Sequence, residues 1–120
     1  MPAAALALAV PLHERRLRER GYNQSELLAR ELRRRLRLAG GAGSLVRLRD
    51  TPPQVGLDRL RRQENVAGAF AWRGPHLAGR PVLLVDDVAT TGATLEACAR
   101  ALRADGSGAV QGATVARVSV

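Results

Sequence analysis

Apolar and polar positions along this chain follow two rhythms, and each change of rhythm marks an element. Val82, Leu83, Leu84 and Val85 form an unbroken apolar run, which predicts a strand buried on both faces. After a polar stretch, apolar residues return at Leu95, Cys98, Ala99 and Leu102, the spacing of one helix face. Asp105-Gly106-Ser107-Gly108 ends that helix, with Gly106 where a left-handed residue is favoured. Ala109–Val118 reads as a last strand. At the other end, residues 4–10 read as a first strand stopped by Pro11, with helix as the competing reading because alanine is a poor strand former. Asn23 followed by Glu26 has the form of a capping box and opens a helix running to about Leu38. Leu28, Leu32 and Leu36 make its apolar stripe, with arginines including Arg33–Arg35 on a solvated face, and Gly40–Gly43 ends it. Tyr22 is placed to pack just before the cap. Leu45–Arg49 alternates apolar and basic residues and predicts a strand, Val66–Trp72 predicts another, and Gly74–Arg80 is a turn with His76 exposed. Strands alternating with helices predict an α/β domain with a mainly parallel sheet and helices on both faces.

The polar stretch 86–94 carries the candidate chemistry. Asp86 and Asp87 are adjacent carboxylates at a strand end; they repel each other and require hydroxyl donors, a cation, or both. Thr90, Thr91, Gly92 and Thr94 follow, at the mouth of a helix whose unpaired N–H groups and dipole suit a phosphate. Gly92 lets a backbone approach such a group without a side chain in the way. The carboxyl end of a strand is where open α/β sheets bind ligands. Acids followed by an anion-binding turn describe a phosphorylated sugar, its ring hydroxyls on the aspartates and its phosphate on the turn. The competing reading is a buried strand that ends in a charged turn and caps a helix with Thr91. Either half alone fits that second reading; the two together favour the ligand site.

VLLVDDVATTGAT (82–94) resembles the phosphoribosyl-pyrophosphate (PRPP) motif of type I phosphoribosyltransferases. VPLHERRLRERGYNQSELLA (10–29) and DTPPQVGLDRLRRQENVAGAF (50–70) extend the resemblance to the competence protein F (ComF), or amidophosphoribosyltransferase-like, family over roughly residues 8–117. The resemblance implies a three-layer fold with a mainly parallel central sheet and a flexible β-hairpin hood whose loop spans about 50–66. It implies Asp86 and Asp87 as the catalytic acids, which hold the ribose hydroxyls directly or through water on Mg²⁺. It assigns Ala89, Thr90, Thr91, Gly92, Ala93 and Thr94 to PRPP binding. By position, Leu12, His13, Arg15 and Arg16 resemble the loop that contacts pyrophosphate, and Arg59 and Arg62 lie in the hood. Arginine pairs phosphate oxygens in a bidentate way, though each arginine in the 12–16 loop fits a charged surface turn equally well. The implied reaction displaces pyrophosphate from PRPP with a nitrogen nucleophile, under a hood that excludes water. An acid usually stands at the place of Thr90 in transferases for hypoxanthine or guanine, so those substrates are disfavoured. Family members usually carry a Cys-rich zinc-binding module before the transferase domain; this sequence begins almost at the first strand, so residues 1–120 are expected to be the transferase-like domain alone.

Composition narrows the choice further. All 19 basic residues are arginine, and the formal charge is +8. Such a balance attracts PRPP, pyrophosphate or nucleic acid. The resemblance also implies a second class of function, with which this charge is compatible: a nucleotide- or PRPP-binding module of the DNA-uptake machinery, acting without turnover beside single-stranded DNA or a competence helicase. One Phe, one Tyr and one Trp leave few rings for base stacking, which weighs against an RNA-binding regulator. Cys98, the one cysteine, excludes an internal disulfide and a Cys-based zinc site and falls on the apolar face of its helix. No stretch is long enough to span a membrane, and residues 1–10 lack the basic region of a signal peptide. A cytoplasmic protein is the expectation, and the resemblance implies a homodimer.

Overall fold

The computed structural model describes residues 5–40, 43–49, 58, 60–61, 67–86 and 92–114, the side chains of 14–16 excepted. In chain order the elements are β1 (Leu6–Ala9), α1 (Glu14–Arg20), α2 (Gln24–Leu36), β2 (Ser44–Arg47), β3 (Phe70–Arg73), β4 (Val82–Asp86), α3 (Gly92–Ala104) and β5 (Val110–Thr114). β4 is the middle of a three-stranded parallel sheet ordered β1-β4-β5. Ala9 lies opposite Val85, and Asp86 opposite Thr114. β2 and β3 form a separate antiparallel pair, with Leu45 opposite Trp72 and Arg47 opposite Phe70. The expected mixed α/β fold with a parallel sheet and a hairpin is therefore present.

Side-chain alternation divides the sheet into two faces. Leu6, Leu8, Val82 and Leu84 meet Cys98 and Leu102 of α3 and Leu45, Phe70 and Trp72 of the hairpin. Ala9, Val85 and Leu83 point the other way, toward Ala29, Leu28 and Leu32 of α2. The layers are thus α2, then the sheet, then α3 with the hairpin. The unbroken apolar run of β4 is explained by this: both of its faces are covered.

α2 departs from expectation in three ways. Asn23 does cap it, its side-chain oxygen accepting the Ser25 N–H at 3.0 Å. Glu26, however, spends its carboxylate on Arg33 Nη2 at 2.8 Å. The helix also stops at Leu36, before the glycines. Arg37 adopts a left-handed conformation (φ 56°), and the Leu38 N–H closes back on the Arg33 carbonyl at 2.9 Å. The bond satisfies a carbonyl that the helix end leaves open. Finally, Leu36 is exposed, so the inward stripe is Ser25, Ala29 and Arg33 flanked by Leu28 and Leu32. Arg34 and Arg35 do sit on the solvated face, both held by Glu31. Arg33 does not: its side chain is only 20% exposed, and Nη1 donates to the Ala7 carbonyl of β1 at 2.8 Å.

The helix α1 was not legible, because residues 11–16 read as a loop. Leu17 is the one apolar residue within ERRLRER, so no period shows, although the residues are good helix formers. Gly21, at φ 82°, ends it. Tyr22 does not pack before the cap of α2; it is 54% exposed. The other strands agree with the sequence within a few residues, and of the expected last strand the part at 115–118 lies outside the described residues.

α3 ends as expected. The Gly106 N–H donates to Arg103 O (2.9 Å) and the Ser107 N–H to Leu102 O (3.1 Å), with Gly106 at φ 87°. The exposed His76 ring lies against Gly106, where a Cβ would collide with it. His76 also has work in its turn: Nδ1 accepts the Ala78 N–H at 3.0 Å.

Candidate functional site

Parallel strands deliver their following loops to one edge of the sheet. β1 and β4 end side by side, so the segment after Ala9 and the segment after Asp86 leave from adjacent points. Asp86 closes β4 and is 6% exposed. A carboxylate held this far from water needs compensation by donors or cations. Asp87, Ala89, Thr90 and Thr91 lie outside the described residues.

The chain re-enters at the first turn of α3. Gly92 is exposed, and a Cβ added there meets no atom within 4 Å. Nor is its φ among the positive ones, so the backbone does not require glycine for conformational reasons. Ala93 is partly buried, and Thr94 is 3% exposed, packed into the inner side of the helix.

The loop after β1 and the hairpin share a cavity of about 440 Å³. Leu12 and His13 line it from the loop, and Arg47 and Arg73 from the strands. The segment expected to contact pyrophosphate therefore faces the hairpin expected to act as a hood. Arg15 and Arg16 belong to the first turn of α1 and not to a loop; their side chains, like Arg59 and Arg62, lie outside the described residues.

Arg47 is the residue the sequence did not single out. Its guanidinium carbon sits 4.9 Å from the centre of the Phe70 ring, a cation–π contact across the hairpin. It is partly buried and faces the cavity, whereas the alternation of apolar and basic residues over Leu45–Arg49 predicted a strand and no role for this side chain. An aromatic opposite an arginine in the paired strand would have been the signal, had the register been known.

Arg47 and Asp86 both act on Cys98. Burial pushes this thiol up to about 12; the Arg47 charge pulls it down and the Asp86 charge raises it further. Cys98 is thus an inert core residue, as expected, with a carboxylate and a guanidinium in electrostatic reach. Among the described residues no group of three or more His, Cys, Asp or Glu could hold a metal, and no helix is long and apolar enough to cross a membrane.

Residues 23–119 match the family model described as "Phosphoribosyl transferase domain". The chain is 39% identical over 104 residues to the DNA utilization protein YhgH of Escherichia coli, covering 87% of this chain and 45% of that one. The protein of the same name in Salmonella typhi is 36% identical over 111 residues, covering 92% and 48%. Competence protein F of Haemophilus influenzae is 39% identical over 98 residues, covering 80% and 43%. The chain spans about half the length of these relatives. No solved structure matches it significantly. With the parallel sheet, the acid-ended central strand and the hairpin already in place, this chain belongs to the phosphoribosyl transferase domain family, on its type I, competence protein F-like branch.

Proposed function

We propose that the domain binds PRPP where β1 and β4 end, and that it displaces pyrophosphate from the ribose C1 with a nitrogen nucleophile. One observation carries this reading: a buried aspartate, Asp86, closes the central parallel strand, and an open glycine, Gly92, begins the helix that follows it. Asp86 and Asp87 would take the ribose hydroxyls. Residues 89–94 would take the 5-phosphate, drawing on the helix N–H groups and dipole. Leu12, His13, Arg15 and Arg16, with Arg59 and Arg62 from above, would surround the pyrophosphate as it gathers charge. In the step itself a nitrogen–C1 bond forms, the bond from C1 to the pyrophosphate oxygen breaks, and pyrophosphate leaves with the electron pair. The protein's share is positioning and charge stabilisation. Magnesium would arrive with PRPP, be held by Asp86 and Asp87 through water, and supply positive charge to the departing pyrophosphate.

Calorimetric titration with PRPP and Mg²⁺ tests the binding. Saturable binding that Asp86→Asn weakens at least tenfold is expected. No saturation at millimolar PRPP would overturn the reading.

A second reading is favoured by the relatives' names, DNA utilization protein and Competence protein F, and by the net charge of +8. The domain would bind PRPP or a nucleotide without turnover, in the cytoplasm, as part of a DNA-uptake apparatus with single-stranded DNA or a helicase as partner, and as a homodimer. Pyrophosphate release across a panel of bases separates the two. Turnover with any of them supports the enzyme; none, with steeply salt-dependent binding of single-stranded DNA, supports the module.

A further inference from the structure

The largest cavity described is not the one beside the hairpin. A space of about 640 Å³ opens along the outer edge of β1, walled by α1, α2, the start of β2 and the loop residues Pro11 and Leu12, which, like Leu45, also line the hairpin cavity. That size is in the range of small-ligand pockets. Beyond Ala39, which pairs with β1, no described strand covers this edge. The Leu6 and Val10 N–H groups donate inward, to Pro81 O and Val85 O, while the Ala7 N–H donates outward to Ala39 O. By alternation the Ala7 carbonyl and the Ala9 N–H also face outward. Arg33 fills the first position; the Ala9 N–H has no partner among the described residues and faces the cavity.

Two further groups at the cavity are unspent. Tyr22 is 54% exposed, while the chain's other rings, Phe70 and Trp72, are in the core. Arg30 is exposed and makes no ion pair among the described residues, although its neighbours Arg33, Arg34 and Arg35 are all paired with Glu26 or Glu31. An exposed ring, an outward N–H and an unpaired cation around one cavity match a flat heteroaromatic ring that carries a carbonyl and a phosphate.

We propose that the cavity on the β1 edge is a nucleotide site, separate from the Asp86 site, with the base against Tyr22 and the phosphate on Arg30. Nothing in it depends on PRPP binding. Two sources share this chemistry, a free nucleotide and a nucleotide within single-stranded DNA, and the probes must tell them apart. Isothermal titration with GMP and with dTMP reads the first. Fluorescence anisotropy of a labelled 15-mer of oligo-dT, across a salt series, reads the second. Saturable binding of one of these probes is expected, unaffected by Asp86→Asn. Tyr22→Ala should weaken it by roughly tenfold to a hundredfold, the scale of a lost stacking ring, and Tyr22→Phe should retain it. Arg30→Gln should lower the salt slope of oligonucleotide binding by about one phosphate contact. Both side chains are on the surface, and unchanged thermal melts would establish that the variants fold. The proposal is overturned if no probe saturates at millimolar nucleotide and micromolar oligonucleotide, if Tyr22→Ala binds like the parent, or if PRPP displaces the nucleotide competitively. Competitive displacement would put the nucleotide in the Asp86 site and leave the PRPP reading intact, and a failed PRPP titration would leave this proposal standing.

Discussion

α2 and α3 are both 13 residues long, and they cover opposite faces of the same sheet in different ways. α3 sends Thr94, Cys98, Ala99 and Leu102 inward, all buried, against strands and hairpin together. Only Ser25 and Ala29 of α2 are buried, and one turn further along the same face is an arginine. The α3 side is a core; the α2 side is a lid with a hydrogen-bonded strut and a cavity beside it. The difference separates the part of the fold that stabilises from the part left free to hold ligands.

The largest effect should come from cutting into the α3 side. Leu102 is fully buried in the main cluster. Leu102→Ala removes its burial and leaves a void, at about 2–5 kcal/mol. Leu32→Ala on α2 removes a partly buried side chain and should cost at most about 1 kcal/mol, since burying even a whole leucine is worth only about 1.5–3. Urea melts of the two variants test the contrast directly. Equal losses would mean that α2 is packed as tightly as α3.

What the sequence disclosed follows the same division. The α3 side was legible because its residues obey simple periods: an unbroken apolar run for β4, a helical spacing for α3 and Gly106 at its end. The α2 side was not, because its decisive contacts are polar and long-range. Leu28 and Leu32 were found, but Leu36 was carried too far along the stripe, and Arg33 was read as solvated. An arginine that heads a run of three reads as surface charge; only the fold brings it beneath Ala7. Likewise α1 has too few apolar residues to show a period. Of the candidate site, Asp86 at a strand end and Gly92 at a helix start were legible from the change of rhythm. Arg47 depended on the register of β2 against β3, and the cavity beside β1 depended on which edge of the sheet stays open.

Arg33 is the next place to press. Its guanidinium joins β1 to α2 and neutralises Glu26. Arg33→Met keeps much of the apolar stem but strands the Ala7 carbonyl and an acid on the cavity wall. A loss of about 1–3 kcal/mol is expected, the cost of an unsatisfied partly buried acceptor. Arg34→Met should leave the melt nearly unchanged, because its ion pair with Glu31 is exposed and screened by solvent. If both variants melt alike, Arg33 is a surface residue in energetic terms and the strut does not exist.

The smallest effect is one of pH and belongs to the α3 side. Burial holds the Cys98 thiol protonated up to about 12, whereas in the unfolded chain it ionises at the ordinary value near 9. Below pH 9 both states carry the proton and the thiol has no influence on the slope. Between 9 and 12 the unfolded state gives its proton up and the folded state keeps it, so unfolding is favoured as pH rises. By pH 10 the loss should be on the order of 1 kcal/mol. Cys98→Ala lowers stability at every pH through lost packing but should remove this slope, so its denaturation midpoints between pH 8 and pH 10 should change less than the parent's. Arginine does not titrate in this window, and the chain contains no lysine to confuse the measurement. Parallel curves for the two proteins would mean that the thiol ionises in the folded state, and that Asp86 and Arg47 stand over a wetter interior than the packing around Leu84 and Leu102 implies.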